Sequence, residues 1–324
     1  MADKPYQENG HFTRPASTFR NFVSKAAGSK YPPEPNRYAL YLSPGCPWAH
    51  RTLIVRKLKG LESIIDLYLL KMHMGPEGWL FDGEDPLHPS FTKIKQLYEH
   101  ADPNFKGRYT VPVLWDKKTD TMVNNESSEI IRMFYSEFDD LLPKHLREST
   151  TEAAGGGMFP ERLRGEIEEM NEWVYNTVNN GVYKTGFATS QEAYEANLYP
   201  LFESLDRLED ILAKHGKPYL FGDHITEADV RLYTFDVAYH SVFMCNRKSI
   251  RHDYPNLYLW LRRLYWDRDE QGQAHGAFYE TTEPYLKYYG QGYAAARNKV
   301  VFQDKVPLIV AAGPAILIDP LPQA

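Results

Sequence analysis

Cysteine is nearly absent: Cys46 and Cys245 are the two in 324 residues. Two are too few for a disulfide framework. A reducing compartment, the cytoplasm, is the expectation, and there a free cysteine can serve as a nucleophile. No apolar run approaches the ~18 residues that a membrane-spanning helix needs, so no membrane partner is expected. The first thirty residues are polar, are interrupted by Pro and Gly, and lack the apolar segment of a secretory signal. Phe12, Arg14, Phe19, Arg20 and Phe22 form a weak presequence-like pattern, opposed by the acidic Asp3 and Glu8. Positive charge is not in excess. With 37 basic against 43 acidic side chains the net charge is −6, which argues against nucleic acid as a partner and against a polybasic membrane patch. There is no repeat of fixed period, no glycine-rich phosphate loop and no locally clustered Cys/His ligand set. Neither a metal nor a nucleotide cofactor is expected.

What is present is ordinary for a folded chain, with 43% hydrophobic and 25% charged residues, and the length suggests two domains. Residues 1–37 read as an extended N-terminal arm. Tyr38 to Leu42 is a short apolar strand, Ser43-Pro44-Gly45 a turn, and a helix starts near Cys46 with Leu53, Ile54, Leu58 and Leu61 on its apolar face. Pro47 suits a first helical turn, and Gly60 suits a stop. Ile64 to Leu70 reads as a strand buried on both faces. A Gly- and Pro-punctuated insertion follows, with one helix around residues 93–100. Then come a strand Val111–Trp115, a charged turn Asp116–Asp120, a strand Thr121–Val123, and a helix from about Glu126 with Ile130, Ile131 and Phe134 inward. The predicted order over 38–138 is β-α-β, insertion, β-β-α.

Residues 139–160 read as a linker. Beyond it the pattern is helical: Leu163, Ile167, Met170, Val174 and Val178 recur at helical spacing. So do Tyr194, Leu198, Leu201, Leu205, Leu208 and Leu212, after Ser190 as N-cap and with a bend expected at Pro200. Thr226-Glu227-Ala228-Asp229 has the form of a capping box. A helix is expected over about 255–266. An α/β half followed by an all-helical half over 161–290, with a Pro-rich tail over 291–324 lying on the body, is the predicted organisation. Many of the 23 tyrosines lie beyond residue 170. Most fill a helical core with their hydroxyls at its edge, and a minority could line a pocket for a flat aromatic molecule.

The chemistry concentrates at Ser43-Pro44-Gly45-Cys46-Pro47-Trp48-Ala49-His50-Arg51. A cysteine at a helix N-terminus sits among unpaired N–H donors and partial positive charge, which favour its thiolate. His50 and Arg51 are candidates for added positive charge. Ala49 stands where a dithiol motif would have its second cysteine, so a single thiolate would form a mixed disulfide that an external thiol resolves. The competing reading is a buried, inert cysteine. Val111-Pro112 fits either a cis-proline turn that offers the backbone of the preceding residue to a ligand, or a proline in an edge strand. Asn124-Asn125-Glu126-Ser127-Ser128 joins a strand to a helix start. Its free N–H groups and hydroxyls could hold a carboxylate and Glu126 an amino group, the two charges of an α-amino-acid head; it serves equally as a capping segment.

Together, Cys-Pro-Trp-Ala-His-Arg at a helix start, Val-Pro-Val-Leu, and Asn-Asn-Glu-Ser-Ser-Glu-Ile-Ile-Arg resemble the glutathionyl-hydroquinone reductases, the Xi class of glutathione transferases, in a fungal-like form. The resemblance extends from Arg14-Pro15 to Ala228-Asp229 and beyond. It implies a thioredoxin-like N-terminal domain followed by an all-helical glutathione-transferase C-terminal domain, glutathione as co-substrate, quinone-derived small molecules as partners, and a homodimer. It implies that Cys46 is the nucleophile, that Trp79 covers glutathione, and that Arg108 and Val111 hold its carboxylate and backbone. Glu126 and Ser127 would clamp its γ-glutamyl head. Tyr183 would handle the proton at the quinone ring, with Tyr239 and one of Tyr288 or Tyr289 facing the thiolate. After Tyr233 this chain is about four residues shorter than the family pattern, close to one helical turn. The rival readings are an omega-like thioltransferase or dehydroascorbate reductase, and a non-catalytic ligand-binding module of the same fold.

Overall fold

The computed structural model describes residues 7–234, 248–266, 276–303, 319 and 321–322. Near the N-terminus β1 (Gln7–Glu8) and β2 (His11–Phe12) pair antiparallel as a small hairpin. The chain divides into two compact units. The first is essentially residues 15–158, and the second gathers residues 159 onward together with the 3–14 segment.

In the first unit β3 (Tyr38–Leu42) leads into α1 (Pro47–Leu58) and then β4 (Ile65–Leu69). After α2 (Ile94–Ala101) come β5 (Val113–Asp116), β6 (Thr121–Asn124) and α3 (Ser127–Ser136). The sheet order is β4-β3-β5-β6, with β3 and β4 parallel and the other pairs antiparallel. This is the mixed four-stranded sheet of a thioredoxin-like domain. Every residue of β3 is buried, as expected of an apolar Tyr-Ala-Leu-Tyr-Leu run in the middle of a sheet. β4 departs from the expectation: it is the edge strand, and Asp66, Leu67 and Tyr68 are only half-buried while Leu69 is exposed. An apolar run cannot by itself distinguish an edge from a centre, because covering elements decide it. Helix α1 ends in a Schellman arrangement, Gly60 N–H to Lys57 O at 3.0 Å and Leu61 N–H to Arg56 O at 2.9 Å, with Gly60 at φ +64°. Ile54 and Val55 of α1 are buried, as are Ile130, Ile131 and Phe134 of α3, where the two helices pack together.

The arm is not free-standing. Asn21 N–H donates to Val123 O at 3.0 Å and Asn125 N–H to Phe19 O at 3.1 Å, so residues 19–21 run along β6 and cover the outer edge of the sheet. Residues 139–158, read as linker, also belong to this unit and contain α4 (Glu148–Ala153). Lys59 holds them: its ammonium lies 3.6 Å from Asp139 Oδ1 and 3.5 Å from Glu148 Oε2, all three side chains being buried. Three charges scattered over ninety residues of sequence gave no local sign of that anchor.

The second unit is helical, as expected. α5 (Arg164–Val174) runs into a π-turn over Tyr175–Asn179 and then α6 (Gly181–Gly186). α7 (Gln191–His215) continues through Pro200; Ser190 caps it, its Oγ accepting Ala193 N–H at 3.2 Å. α8 (Glu227–Tyr233) opens with the anticipated box, Asp229 Oδ2 accepting from Thr226 N–H at 2.8 Å and from Thr226 Oγ1 at 2.9 Å. The other oxygen of Asp229 accepts from Leu220 N–H at 3.0 Å and from Trp260 Nε1 at 2.8 Å, so one buried carboxylate ties three segments together. Then follow α9 (Ile250–Asp253), α10 (Pro255–Tyr265), α11 (Ala277–Thr282) and α12 (Leu286–Phe302). The 291 boundary expected for the tail falls inside α12. Asp319 is tied down by Arg251 Nη2 at 2.7 Å, Tyr258 and Trp266.

One buried ion pair fixes the end of the central strands. Arg37 grips Asp116 in a two-pronged contact, Nε to Oδ1 at 2.8 Å and Nη2 to Oδ2 at 2.7 Å, with Asp116 fully buried. Burial pushes the Asp116 carboxyl up, but hydrogen bonds from Arg37, Thr119 and the Lys118 N–H outweigh it, and the net value lies below the ordinary carboxylate range. A depressed folded value stabilises the fold above the unfolded carboxylate pKa near ~4 and is lost as pH falls through the lower folded value. Asp116→Ala is expected to cost about 3–5 kcal/mol at pH 7. Urea unfolding curves should show the gap from wild type narrowing as pH drops below ~4.

Candidate active site

The site is built from the first turn of α1 and the backbone that faces it. After β3 the chain turns through Ser43-Pro44-Gly45. Ser43 Oγ donates to Lys71 O at 2.9 Å and accepts Gly45 N–H at 3.2 Å, which fastens the turn to the start of the insertion. A Cβ at position 45 would collide with the Met72 carbonyl oxygen, so only glycine fits there. Cys46 N–H donates to Ser43 O at 3.0 Å, and Cys46 is the N-cap residue of α1, in extended conformation at φ −100° and ψ 113°. Pro47 occupies N1, so the helix's first N–H donor is missing, and the Cys46 side chain makes no cap hydrogen bond to the donors after it. Cys46 is half-buried. His50 and Arg51 are themselves buried, the Arg51 guanidinium lying 4.6 Å over the Trp48 ring.

Opposite the thiol is Val111. The Val111-Pro112 bond is cis, and the ladder of β5 begins only at Val113, paired with Tyr41. Cys46 Sγ lies 3.7 Å from Val111 O, within hydrogen-bond range for sulfur. The backbone leading into Val111 is held by Tyr98, from the inner face of α2. The Tyr98 hydroxyl donates to Thr110 O at 2.9 Å and accepts from Thr110 N–H at 3.2 Å and from Asn125 Nδ2 at 2.9 Å. Burial raises its pKa, opposed by those hydrogen bonds, so it stays a neutral donor and acceptor. Asn125 Oδ1 in turn accepts Phe19 N–H at 3.2 Å. A chain of hydrogen bonds therefore runs from the arm through Asn125 and Tyr98 to the cis-proline loop.

Glu126 is the N-cap of α3, its Oε1 accepting Ser128 N–H at 3.2 Å and Ser128 Oγ at 3.0 Å. Its other oxygen accepts from Ser17 Oγ at 3.0 Å, again from the arm. Capping is therefore a role this segment does perform. Ser127 is buried at N1 of α3, and Arg108 is half-buried in the loop before Thr110. Trp79 is half-buried just beyond the Gly75–Gly78 turn of the insertion, its carbonyl accepting Ile94 N–H at 3.0 Å.

In the second unit Tyr183 lies on α6, half-buried, stacked on Phe12 with ring centroids 6.0 Å apart. The π-turn before it has the local geometry that often marks functional positions. Tyr239 and Cys245 lie outside the described residues. Tyr288 and Tyr289 are neighbours on α12 and so point about 100° apart. Tyr289 is buried at 2% exposure and Tyr288 is half-buried, which makes Tyr288 the more accessible residue of the two. Sequence reasoning missed Tyr98, Ser17 and the Asn125 side chain. Tyr98 lies on the inward stripe of α2 with Ile94 and Leu97, where an aromatic reads as core.

Comparison with known proteins bears on the same two regions. The model of the glutathione S-transferase N-terminal domain matches residues 45–137, and that of the C-terminal domain matches residues 191–263. Glutathione S-transferase omega-like 2 of Schizosaccharomyces pombe is 49% identical over 285 residues, covering 85% of this chain and 86% of that protein. Glutathionyl-hydroquinone reductase YqjG of Escherichia coli is 49% identical over 272 residues, 79% of each. Among solved structures, the glutathione S-transferase Xi of Phanerochaete chrysosporium superposes with a TM-score of 0.85 at 44% identity, covering 98% of this chain and 96% of that one. With the cysteine turn, the cis-proline loop and the helical second unit matched over nearly its whole length, the chain belongs to the Xi-class glutathione transferases, the glutathionyl-hydroquinone reductase family.

Proposed function

We propose that this enzyme reduces glutathionyl-hydroquinones to hydroquinones with glutathione, through a mixed disulfide at Cys46. The observation that carries the reading is a half-buried cysteine at the N-cap of α1, its Sγ 3.7 Å from the carbonyl before a cis-proline, with no second cysteine in the motif. The helix start favours the thiolate electrostatically. Ala49 in the C-x-x-A sequence leaves no second thiol within the motif to displace a bound one.

The Cys46 thiolate attacks the sulfur of the adduct, forming an S–S bond and breaking the bond from sulfur to the aromatic carbon. That carbon leaves as hydroquinone only if it takes up a proton, and by family resemblance Tyr183 is the general acid. A second glutathione thiolate attacks the Cys46–glutathione disulfide, releases glutathione disulfide and restores the Cys46 thiolate. The balance is one adduct and one glutathione consumed, one hydroquinone and one glutathione disulfide formed. In this reading Val111 offers its backbone to the cysteinyl part of glutathione, Arg108 meets its terminal carboxylate, Trp79 covers it, and Glu126 with Ser127 receives the γ-glutamyl head. Tyr98 and Asn125 hold the two loops that carry Val111 and Glu126.

A second reading, disulfide reduction by a thioltransferase, is favoured by the omega-like name of the Schizosaccharomyces pombe relative. One assay separates the two. Incubation with glutathionyl-menadiol and glutathione should release menadiol with the wild-type chain and not with Cys46→Ser, while Cys46→Ser shifts unfolding by no more than about 1 kcal/mol. Equal release by both proteins removes the reductase reading, and reduction of mixed disulfides without adduct cleavage favours the thioltransferase. For Glu126→Gln, loss of a charge-assisted contact worth about 1.5–3 kcal/mol predicts a roughly 10- to 100-fold higher KM for glutathione. Its kcat at saturation should stay close to wild type, as steady-state titration of glutathione will show.

A further inference from the structure

At the opposite end of β5 from Val111 the fold gathers three side chains that the linear sequence keeps apart. They are His88 from the insertion, His100 from the last turn of α2, and Asp120 from the turn between β5 and β6. Their ligating atoms all lie within 4.8 Å of one another. Asp120 sits between the two rings, Oδ1 at 2.8 Å from His88 Nε2 and Oδ2 at 2.8 Å from His100 Nε2. From this arrangement we propose a binding site for a divalent transition-metal ion of the zinc type, held by His88 Nε2, His100 Nε2 and the Asp120 carboxylate, with water as the fourth ligand.

The second layer supports the assignment independently of the three ligands. The other ring nitrogen of His88, Nδ1, lies 2.5 Å from Oδ2 of Asp85, whose side chain is completely buried. Asp85 is itself fixed by the Tyr41 hydroxyl at 2.7 Å and the Leu87 N–H at 3.2 Å. Asp85 accepts from Nδ1, and Nε2, which shares a proton with Asp120 when no ion is bound, becomes a ligand atom once a metal displaces that proton. With an ion at Nε2, the buried Asp85 carboxylate on the opposite edge would orient the His88 ring and raise its basicity, as in a carboxylate–histidine–metal arrangement. The ring cannot swing away, because it is stacked on Phe91 at 4.8 Å and meets Trp115 edge-on at 5.5 Å.

The chemistry of the donors selects the ion. Two imidazole nitrogens and one carboxylate oxygen suit zinc and its neighbours, whereas calcium and magnesium prefer all-oxygen shells. Tetrahedral zinc would hold its donor atoms about 3.3 Å apart, inside the 4.8 Å within which the three ligand atoms already lie. His100 and Asp120 are partly exposed, so water can reach the fourth position. The ion would fasten the His88 loop to α2 and to the β5–β6 turn, joining three segments otherwise held there by hydrogen bonds and ring packing. This site is distinct from Cys46, and its role is structural.

The test uses the full-length chain without an affinity tag, in glutathione-free buffer, dialysed against Zn²⁺, with bound metal counted per chain. It is run in the Cys46→Ser background so that zinc held by that thiol does not enter the count. One equivalent is expected, lost or weakened at least tenfold in His100→Gln and in Asp120→Asn, retained in the surface control His145→Gln, and weakened roughly 10- to 100-fold in Asp85→Asn. Co²⁺ in place of zinc should give the visible bands of a four-coordinate nitrogen–oxygen site, absent in His100→Gln. Circular dichroism melting confirms that the exposed-site variants are folded. Failure to retain zinc, or retention undiminished in both His100→Gln and Asp120→Asn, would overturn the proposal.

Discussion

In the proposed reaction a single thiol stands at the first turn of a buried helix and must meet another sulfur. The rest of the first unit follows from that demand. The helix can begin where it does only because the turn before it presses its backbone against the carbonyl of Met72, a contact that leaves room for glycine alone at position 45. The helix itself is almost wholly buried, down to His50, Arg51 and Thr52, so its axis cannot drift. At its far end the Schellman turn at Gly60 and the buried Lys59 cluster fix the other terminus. What a ligand meets there is the half-buried Cys46 side chain, with the Val111 backbone opposite it.

That facing backbone is held just as firmly, by hydrogen bonds and not by apolar packing alone. Tyr98 is the hub: its hydroxyl satisfies the amide and carbonyl of Thr110 while receiving Asn125, so the cis-proline loop and the strand-to-helix turn at Glu126 share one support. The N-terminal arm completes it. Phe19 bonds Asn125, Ser17 bonds Glu126, and Asn124 reaches back to Asn21 O at 3.0 Å. An arm that looks dispensable from its composition thus braces two of the loops through which glutathione would be held. Buried networks of this type are costly when one member is lost, because the partners left behind are desolvated without compensation.

Much of this was legible in the sequence, and the reasons for the rest are physical. The β-α-β and β-β-α order, the helix start at Cys46, the N-cap at Ser190 and the box at Thr226–Asp229 are local signals, and each is present. The edge position of β4 was not legible, since Ile-Asp-Leu-Tyr-Leu looks the same at a sheet's edge as in its middle. Neither was the docking of residues 139–158, which depends on Lys59 some eighty residues earlier. Of the candidate site, the residues carried by short motifs could be proposed directly from sequence. Tyr98 and Ser17 could not, because their partners come from other segments and no spacing rule joins them. The same holds for His88, His100 and Asp120, which become neighbours only when the insertion folds over α2 and the β5–β6 turn.

The central claim is that Cys46 reacts as a thiolate at neutral pH because a helix start lies behind it. The most direct measurement is the rate of its alkylation by iodoacetamide against pH, followed by mass spectrometry at the Cys46 peptide, with free glutathione as the reference thiol. The account predicts a rate that levels off well below the pH at which an ordinary cysteine ionises, and protection when glutathione is present as the mixed disulfide. A profile that tracks the reference thiol up into the alkaline range would contradict it.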